Sequence, residues 1–255
     1  MPAGTAGAPR GTAGRLLVVA TPLGNLGDLT ARTREAIAGC DAVACEDTRV
    51  TGGLLRHLDV SKPMLAYHEH NEKEVAVTIA DRVAAGAVIA LITDAGTPGI
   101  SDPGARLVAH VRSQGLRVLP LPGPSSVTAL LSAAGAVQGG ESDSGFIFAG
   151  FLPSKAEARD QAVQKLLSEK RAVVFLEAPH RIATLAHDLA TLGPRPVTLG
   201  RELSKQFEEI VTLPCAELDT WLHAQATRSK GEFALVLHPL LTPTGTPTED
   251  LPPEA

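Results

Sequence analysis

Three times in its first half the chain runs through a short apolar segment straight into a loop rich in glycine and proline. Residues 16–20 lead into 21–28, residues 88–92 into 93–104, and residues 117–121 into 122–126. After each loop a helical pattern of apolar residues begins. Strand, loop and helix repeated in that order build a parallel sheet with helices on both faces, and all such loops then open at one edge of it. Ligands of open α/β sheets bind at that edge. In the loop after residue 92, Gly96, Gly99 and Gly104 permit positive φ and close approach to a ligand, while Pro98 and Pro103 stiffen the chain beforehand. The loop has neither the Lys-Ser/Thr ending of a nucleotide P-loop nor G-x-G-x-x-G spacing, which disfavours a phosphate cradle. Its acids Asp94 and Asp102 suit a cation such as an ammonium or sulfonium.

The same alternation continues along the chain. Strands are expected at 41–45 and 64–67, with helices at 49–57 and 75–85, the latter opened by the polar stretch 68–74. Thr30 is a plausible cap for the first helix. Residues 137–145 are rich in Gly, Ser and Asp and read as a connection, so the domain boundary is placed near Gly150. Beyond it come strands at 146–151, 172–176, 197–200, 207–213 and 233–237, and helices at 155–168, 180–191 and 215–226. The expected organisation is an α/β chain: a disordered leader over 1–14, an N-terminal α/β domain over 15–149, a C-terminal α/β domain over 150–238 and a disordered Pro/Thr-rich tail over 239–255. The alternation predicts a largely parallel sheet throughout.

Composition removes several function classes. Aromatic residues make up 3% of the chain, too few for a base-stacking platform. A formal net charge of −5 argues against a general polyanion binder, although Glu249, Asp250 and Glu254 in the tail supply part of it and leave room for a local basic patch. Cys40, Cys45 and Cys215 match no zinc or C-x-x-C spacing and read as reduced, buried thiols of a cytoplasmic protein. His68 and His70 flank an acid, but no third ligand stands at a fixed spacing, so no metal site is expected. No apolar run approaches the roughly 18–20 residues that span a bilayer.

Taken in order, the motifs resemble the tetrapyrrole-methylase superfamily and, within it, the ribosomal RNA small-subunit methyltransferase I family. The resemblance is carried by residues 20–25 (ATPLGN), 45–49 (CEDTR), His68 with Asn71 and Glu72, 94–98 (DAGTP), 101–104 (SDPG) and 122–125 (PGPS). It continues through 150–153 (GFLP), Glu177 with His180 and Arg181, 201–205 (RELSK) and 230–232 (KGE), covering roughly 16–238. Leu176 stands where an aromatic is usual in the family, Ala178 where Ser or Thr is common, and Gly99 where some members carry a larger apolar residue. The resemblance implies two α/β domains of tetrapyrrole-methylase type with a cofactor cleft between them. It implies an S-adenosylmethionine-dependent enzyme that methylates the ribose 2′-hydroxyl of a cytidine in the decoding region of small-subunit ribosomal RNA. The alternatives are a tetrapyrrole C-methyltransferase and a non-catalytic S-adenosylmethionine-binding module.

By the same resemblance, cofactor contacts are expected from Pro22, Thr97, Pro98, Ile100, Ser101, Ser125 and Ser126, and from Leu176, Glu177, Glu202, Leu203, Glu232 and Phe233. The apolar members would otherwise fill core. Attack by a ribose hydroxyl is helped by a carboxylate near its proton, and Asp47, Glu46 and Glu177 are the candidates. Asp47 precedes a helix, so helix capping competes with a substrate role. The candidates for RNA contact are Arg49, Arg181, Arg201 and Lys205 with His68, His70 and Asn71. The expected partner is small-subunit ribosomal RNA or the ribosomal subunit, with no membrane, and a homodimer is expected from the family.

Overall fold

A computed structural model of the chain describes residues 14–68, 71–136 and 145–240. Most of the leader and of the tail, His70 and most of the 137–145 connection lie outside the described residues. The chain divides into two units, 1–126 and 127–255.

The first unit is built on a five-stranded sheet in the order β3-β2-β4-β1-β5, all parallel. Its strands are β1 (Arg15–Val19), β2 (Ala42–Cys45), β3 (Met64–Ala66), β4 (Val88–Ile92) and β5 (Arg117–Leu121). The helices are α1 (Ala31–Gly39), α2 (Thr48–His57), α3 (Glu72–Ala84) and α4 (Ala105–Ser113). Strand β4 is buried throughout because successive side chains feed two cores. Ile89 and Leu91 pack with Ile79 of α3 and Leu107 of α4, whereas Val88, Ala90 and Ile92 join Ile37 of α1 and Leu55 of α2. Each fully buried Leu or Ile contributes about 1.5–3 kcal/mol. Thr30 does cap α1, its hydroxyl accepting from the Thr33 amide at 3.0 Å. Since all five strands run the same way, their following loops share one edge, as the sequence pattern requires.

The second unit departs from the expected parallel arrangement. Its strands are β6 (Phe146–Phe151), β7 (Ala172–Glu177), β8 (Pro196–Arg201), β9 (Glu209–Pro214) and β10 (Phe233–Leu237), in the order β6-β7-β10-β8-β9. Only β6 and β7 pair in parallel; β10 runs antiparallel to both β7 and β8, and β8 and β9 form an antiparallel pair. The reason is local: no helix separates β8 from β9, so the chain turns back on itself, and β10 then inserts beside β8. Helices α6 (Ala156–Leu166), α7 (Ile182–Leu189) and α8 (Cys215–His223) share a core with Phe175, Leu199 and Leu235. On the other face, Val127 and Leu130 of α5 (Ser126–Ala133) pack with Val174, Leu203 and Val236. Helix α5 and strand β6 therefore belong with the second sheet, and the division falls after Ser126 rather than near Gly150.

Candidate active site

The carboxyl edge of the parallel sheet is stitched into one surface by bonds between its loops. Thr21, just past β1, and Gly96, just past β4, exchange backbone hydrogen bonds at 2.9 and 3.1 Å, and the Thr21 hydroxyl donates to the Thr93 carbonyl at 3.0 Å. The Thr97 hydroxyl donates to the Pro124 carbonyl at 2.9 Å, fixing the β4 loop to the β5 loop. The Asp47 amide donates to Asp94 Oδ1 at 3.2 Å, which ties in the loop after β2. Glycine is required at 96, where φ is +79°. At Gly123 a Cβ would come within 2.8 Å of the Ala20 side chain, so only glycine lets the β5 loop lie this close to β1. Ser101 holds φ +64° without being glycine, strain of a kind that collects at ligand-binding loops.

Three carboxylates meet on this edge, and their environments separate them. Asp47 caps α2, accepting from the Arg49 amide at 2.7 Å, and its other oxygen pairs with the Arg49 guanidinium at 2.6 Å. Those bonds hold its carboxyl down at about 2. Glu46 moves the other way: desolvation raises its pKa, and the charge of Asp94 raises it further. Asp94 is itself raised, first by desolvation and then by the charge of Asp47, against the Asp47 amide bond. Asp47 caps α2 in this structure, and Asp94 joins Glu46 at the edge, where its sequence context pointed only to a general affinity for cations. The signal that could have found it was its position directly after the central strand.

Of the first-unit residues expected to touch a cofactor, Pro22 and Pro98 are buried, Thr97, Ser125 and Ser126 are half-buried, and Ile100 and Ser101 are exposed on the same loops. In the second unit, Glu202 and Glu232 sit together. Glu202 Oε1 accepts from the Glu232 amide at 2.8 Å, and Lys205 Nζ bonds both carboxylates at 3.0 Å. Gly231 has no room for a side chain, since a Cβ would lie 2.5 Å from Glu202. Leu203 and Phe233 lie in the cores of this unit, with Leu176 packed against one of them. Glu177 is buried at the end of β7; its Oε1 accepts from the Ala178 amide at 2.8 Å and pairs with Arg181 Nε at 3.0 Å. Its Oε2 has no hydrogen-bond partner among the described residues.

The model of the tetrapyrrole (corrin/porphyrin) methylases matches residues 15–219. The chain belongs to that family. It is 46% identical over 225 residues to the ribosomal RNA small subunit methyltransferase I of Vibrio cholerae, which covers 88% of this chain and 76% of that protein. Among solved structures it resembles a cobalamin biosynthetic enzyme, cobalt precorrin-4 methyltransferase, with a TM-score of 0.64, 20% identity, and coverage of 90% of this chain and 97% of that one. It also resembles a uroporphyrin-III C-methyltransferase from Thermus thermophilus complexed with S-adenyl homocysteine, with a TM-score of 0.56, 17% identity, and coverage of 88% and 97%.

Within this member of the family, the basic residues expected to meet RNA are mostly engaged by the protein. Arg181 also donates to the Leu152 carbonyl at 2.5 Å. Arg201 donates to the carbonyls of Lys230 and Phe207 at 3.2 and 3.1 Å and lies 3.5 Å from Glu209. Lys205 is held between its two glutamates, whose bonds outweigh its desolvation and raise its pKa. Asn71 closes its own turn, accepting from the His68 amide at 2.9 Å and donating to the Ala66 carbonyl at 2.9 Å. Arg49 keeps 88% of its side chain exposed despite its pair with Asp47. The three cysteines are buried and free. Among the described residues, no group of three His, Cys, Asp or Glu is placed to hold a metal ion, and no helix is long and apolar enough to cross a membrane.

Proposed function

We propose that the chain transfers a methyl group from S-adenosylmethionine to the ribose 2′-hydroxyl of a cytidine in small-subunit ribosomal RNA. Beside the family relationship, the observation that carries this reading is the pair Glu46 and Asp94, two carboxyls held above their ordinary range at the ligand edge of a parallel sheet.

The residues present suit a sulfonium donor. Carboxylates at 46, 47 and 94 favour a cation, and the positive φ at Gly96 and Ser101 shapes the loop that carries Thr97 and Pro98. The unpartnered Oε2 of Glu177 can accept from a hydroxyl or amino group of a ligand, which a buried carboxylate oxygen otherwise lacks. When bound, S-adenosylmethionine supplies a methyl group on positively charged sulfur, open to attack by an alcohol oxygen. Thr97, Pro98, Ile100, Ser101 and Ser125 would hold it on the first unit.

Glu46 takes the hydroxyl proton as the new carbon–oxygen bond forms and the carbon–sulfur bond breaks. Its raised pKa makes it a stronger base than an ordinary carboxylate and brings it nearer working pH. Asp94 acts through it: a neighbouring negative charge keeps that pKa high. Asp47 at about 2 is too weak a base for the same task and serves α2 instead. A ribosomal substrate supports a cytoplasmic location, in keeping with the free thiols, and the family leads us to expect a homodimer by sedimentation.

Glu46→Gln is expected to lower kcat by about 10²–10⁴ with donor binding intact by calorimetry. For the parent enzyme, the acid limb of kcat/KM should lie above the ordinary glutamate range, because the base must be deprotonated; Asp94→Asn should move that limb to lower pH. Full turnover by a folded Glu46→Gln protein would remove it as the base. Labelled product should survive alkaline hydrolysis as an uncleaved dinucleotide, since cleavage needs a free 2′-hydroxyl. Complete hydrolysis to mononucleotides overturns the ribose assignment.

A further inference from the structure

The basic residues nominated from the sequence are largely bound to carboxylates and carbonyls, yet several other arginines are not, and three of these stand together. Arg15, Arg32 and Arg117 line one groove of the first unit, with a volume of about 390 Å³, together with Glu35 and an apolar floor that includes Leu17, Leu119 and Leu121. Among the described residues none of the three guanidiniums makes an ion pair or side-chain hydrogen bond, and Glu35 is the groove's one carboxylate.

The strand register makes the arrangement unusual. In the β1–β5 pair, Arg15 stands beside Arg117, Leu17 beside Leu119 and Val19 beside Leu121, so the two arginines are neighbours on one face of the sheet. Like charges at neighbouring strand positions destabilise a sheet. Helix α1 adds Arg32 to the same groove instead of a second acid to offset them. Such a cluster suits an anion, and a second copy of the same surface would only add to the repulsion.

The groove also points somewhere. It follows β5 from Arg117 to Leu121, about 13 Å at the rise of a strand, and the residue after Leu121 begins the loop 122–126 of the candidate active edge. We propose that this groove binds the phosphate backbone of the substrate RNA, with the arginines gripping the strand at the far end of β5 from the reacting edge. This rests on the RNA reading above and gives it a surface: a chain of net charge −5 would hold a polyanion through one local patch.

The test is a salt titration of binding to protein-free small-subunit ribosomal RNA by the parent and by Arg15→Gln/Arg32→Gln/Arg117→Gln. Each phosphate contact contributes about 0.7–0.9 to the slope of log affinity against log salt, so the triple variant should lose about 2 to 3 from that slope. Binding of S-adenosylmethionine by calorimetry should stay at the parent value. Because Arg32 lies exposed on a helix, Arg32→Glu alone provides a variant whose fold is not at risk, and it should lose about 1 from the slope. Parent slopes in both variants overturn the groove, while labelled methyl transfer to RNA by the parent in the same experiment keeps the proposed function standing. If the parent itself transfers no methyl group to RNA, that reading falls and takes the groove with it.

Discussion

The two units use arginine in opposite ways. In the second, Arg195 is buried and donates from its guanidinium to the carbonyls of Leu166, Glu169 and His238, closing the sheet's end against α6 and the chain that follows it. Arg159 pairs with Asp188, Arg201 with Glu209 and Arg228 with both Glu209 and the Trp221 ring. In the first, Arg15, Arg32 and Arg117 are left to the groove. The contrast follows from topology. An all-parallel sheet places its loops at one edge and satisfies its backbone through βαβ crossovers, whereas the mixed sheet has tight returns whose carbonyls need donors. Arginine in the second unit is largely structural, whereas in the groove of the first it is free to meet a ligand.

The sharpest attempt to break that contrast is Arg195→Ala. It leaves several buried carbonyls without a donor, at a cost of about 3–5 kcal/mol. That should lower the melting temperature by roughly 6–20 °C, and native-state hydrogen exchange should show the loss concentrated in β7, β8 and β10. An unchanged melting temperature would mean that arginine does not staple this sheet.

The same division explains what the sequence could and could not disclose. Strands β4, β5, β6 and β10 fall at the bounds read from apolar runs, because each run gives way within two residues to proline or an acid. The direction of β10 was not legible: Phe-Ala-Leu-Val-Leu is equally at home in a parallel or an antiparallel strand, and its partners are set 32 to 64 residues earlier. The loops of the active edge were legible from their glycines, but the partition of Glu46, Asp47 and Asp94 depends on which one Arg49 bonds, a matter of geometry. Arg15 and Arg117, 102 residues apart, read as ordinary strand starts until the register sets them side by side.

Lys205→Ala makes a smaller test in the second unit. It leaves Glu202 and Glu232 facing each other and should cost about 1–2 kcal/mol, or roughly 2–8 °C. The pH dependence has two limits. For Glu202, burial alone would raise the pKa, but the Glu232 amide and Lys205 outweigh it and leave it lowered, so its contribution is present above the unfolded carboxylate range and fades as pH falls through the folded value. Lys205 has a raised pKa, so its contribution is full below 10.5 and fades above it as pH rises through the folded value. The gap in melting temperature between parent and variant should therefore be a plateau that closes at both ends. The salt slope of RNA binding should not change; a loss of about one unit would return Lys205 to the RNA interface and weaken the contrast between the units.

The smallest effect on stability belongs to Arg49→Ala, in the first unit. The guanidinium is exposed and its pair with Asp47 is screened by solvent, while the backbone amide at position 49 goes on donating to the Asp47 cap. Melting at neutral pH should stay within error of the parent. What changes is Asp47: with the guanidinium gone, its pKa should climb from about 2 toward the ordinary carboxylate range. A carboxyl held low in the folded state stabilises above its unfolded pKa and loses that contribution as pH falls through the folded value, so any small deficit of the variant should be full above about pH 4 and vanish by about pH 2. Arg49 stands at the active edge with most of its side chain exposed, so its removal should instead show in RNA binding, as a loss of about one unit of salt slope. A variant that melts early and binds RNA with the parent slope would make Arg49 a staple like those of the second unit, and the contrast between the two halves would then hold only for the groove.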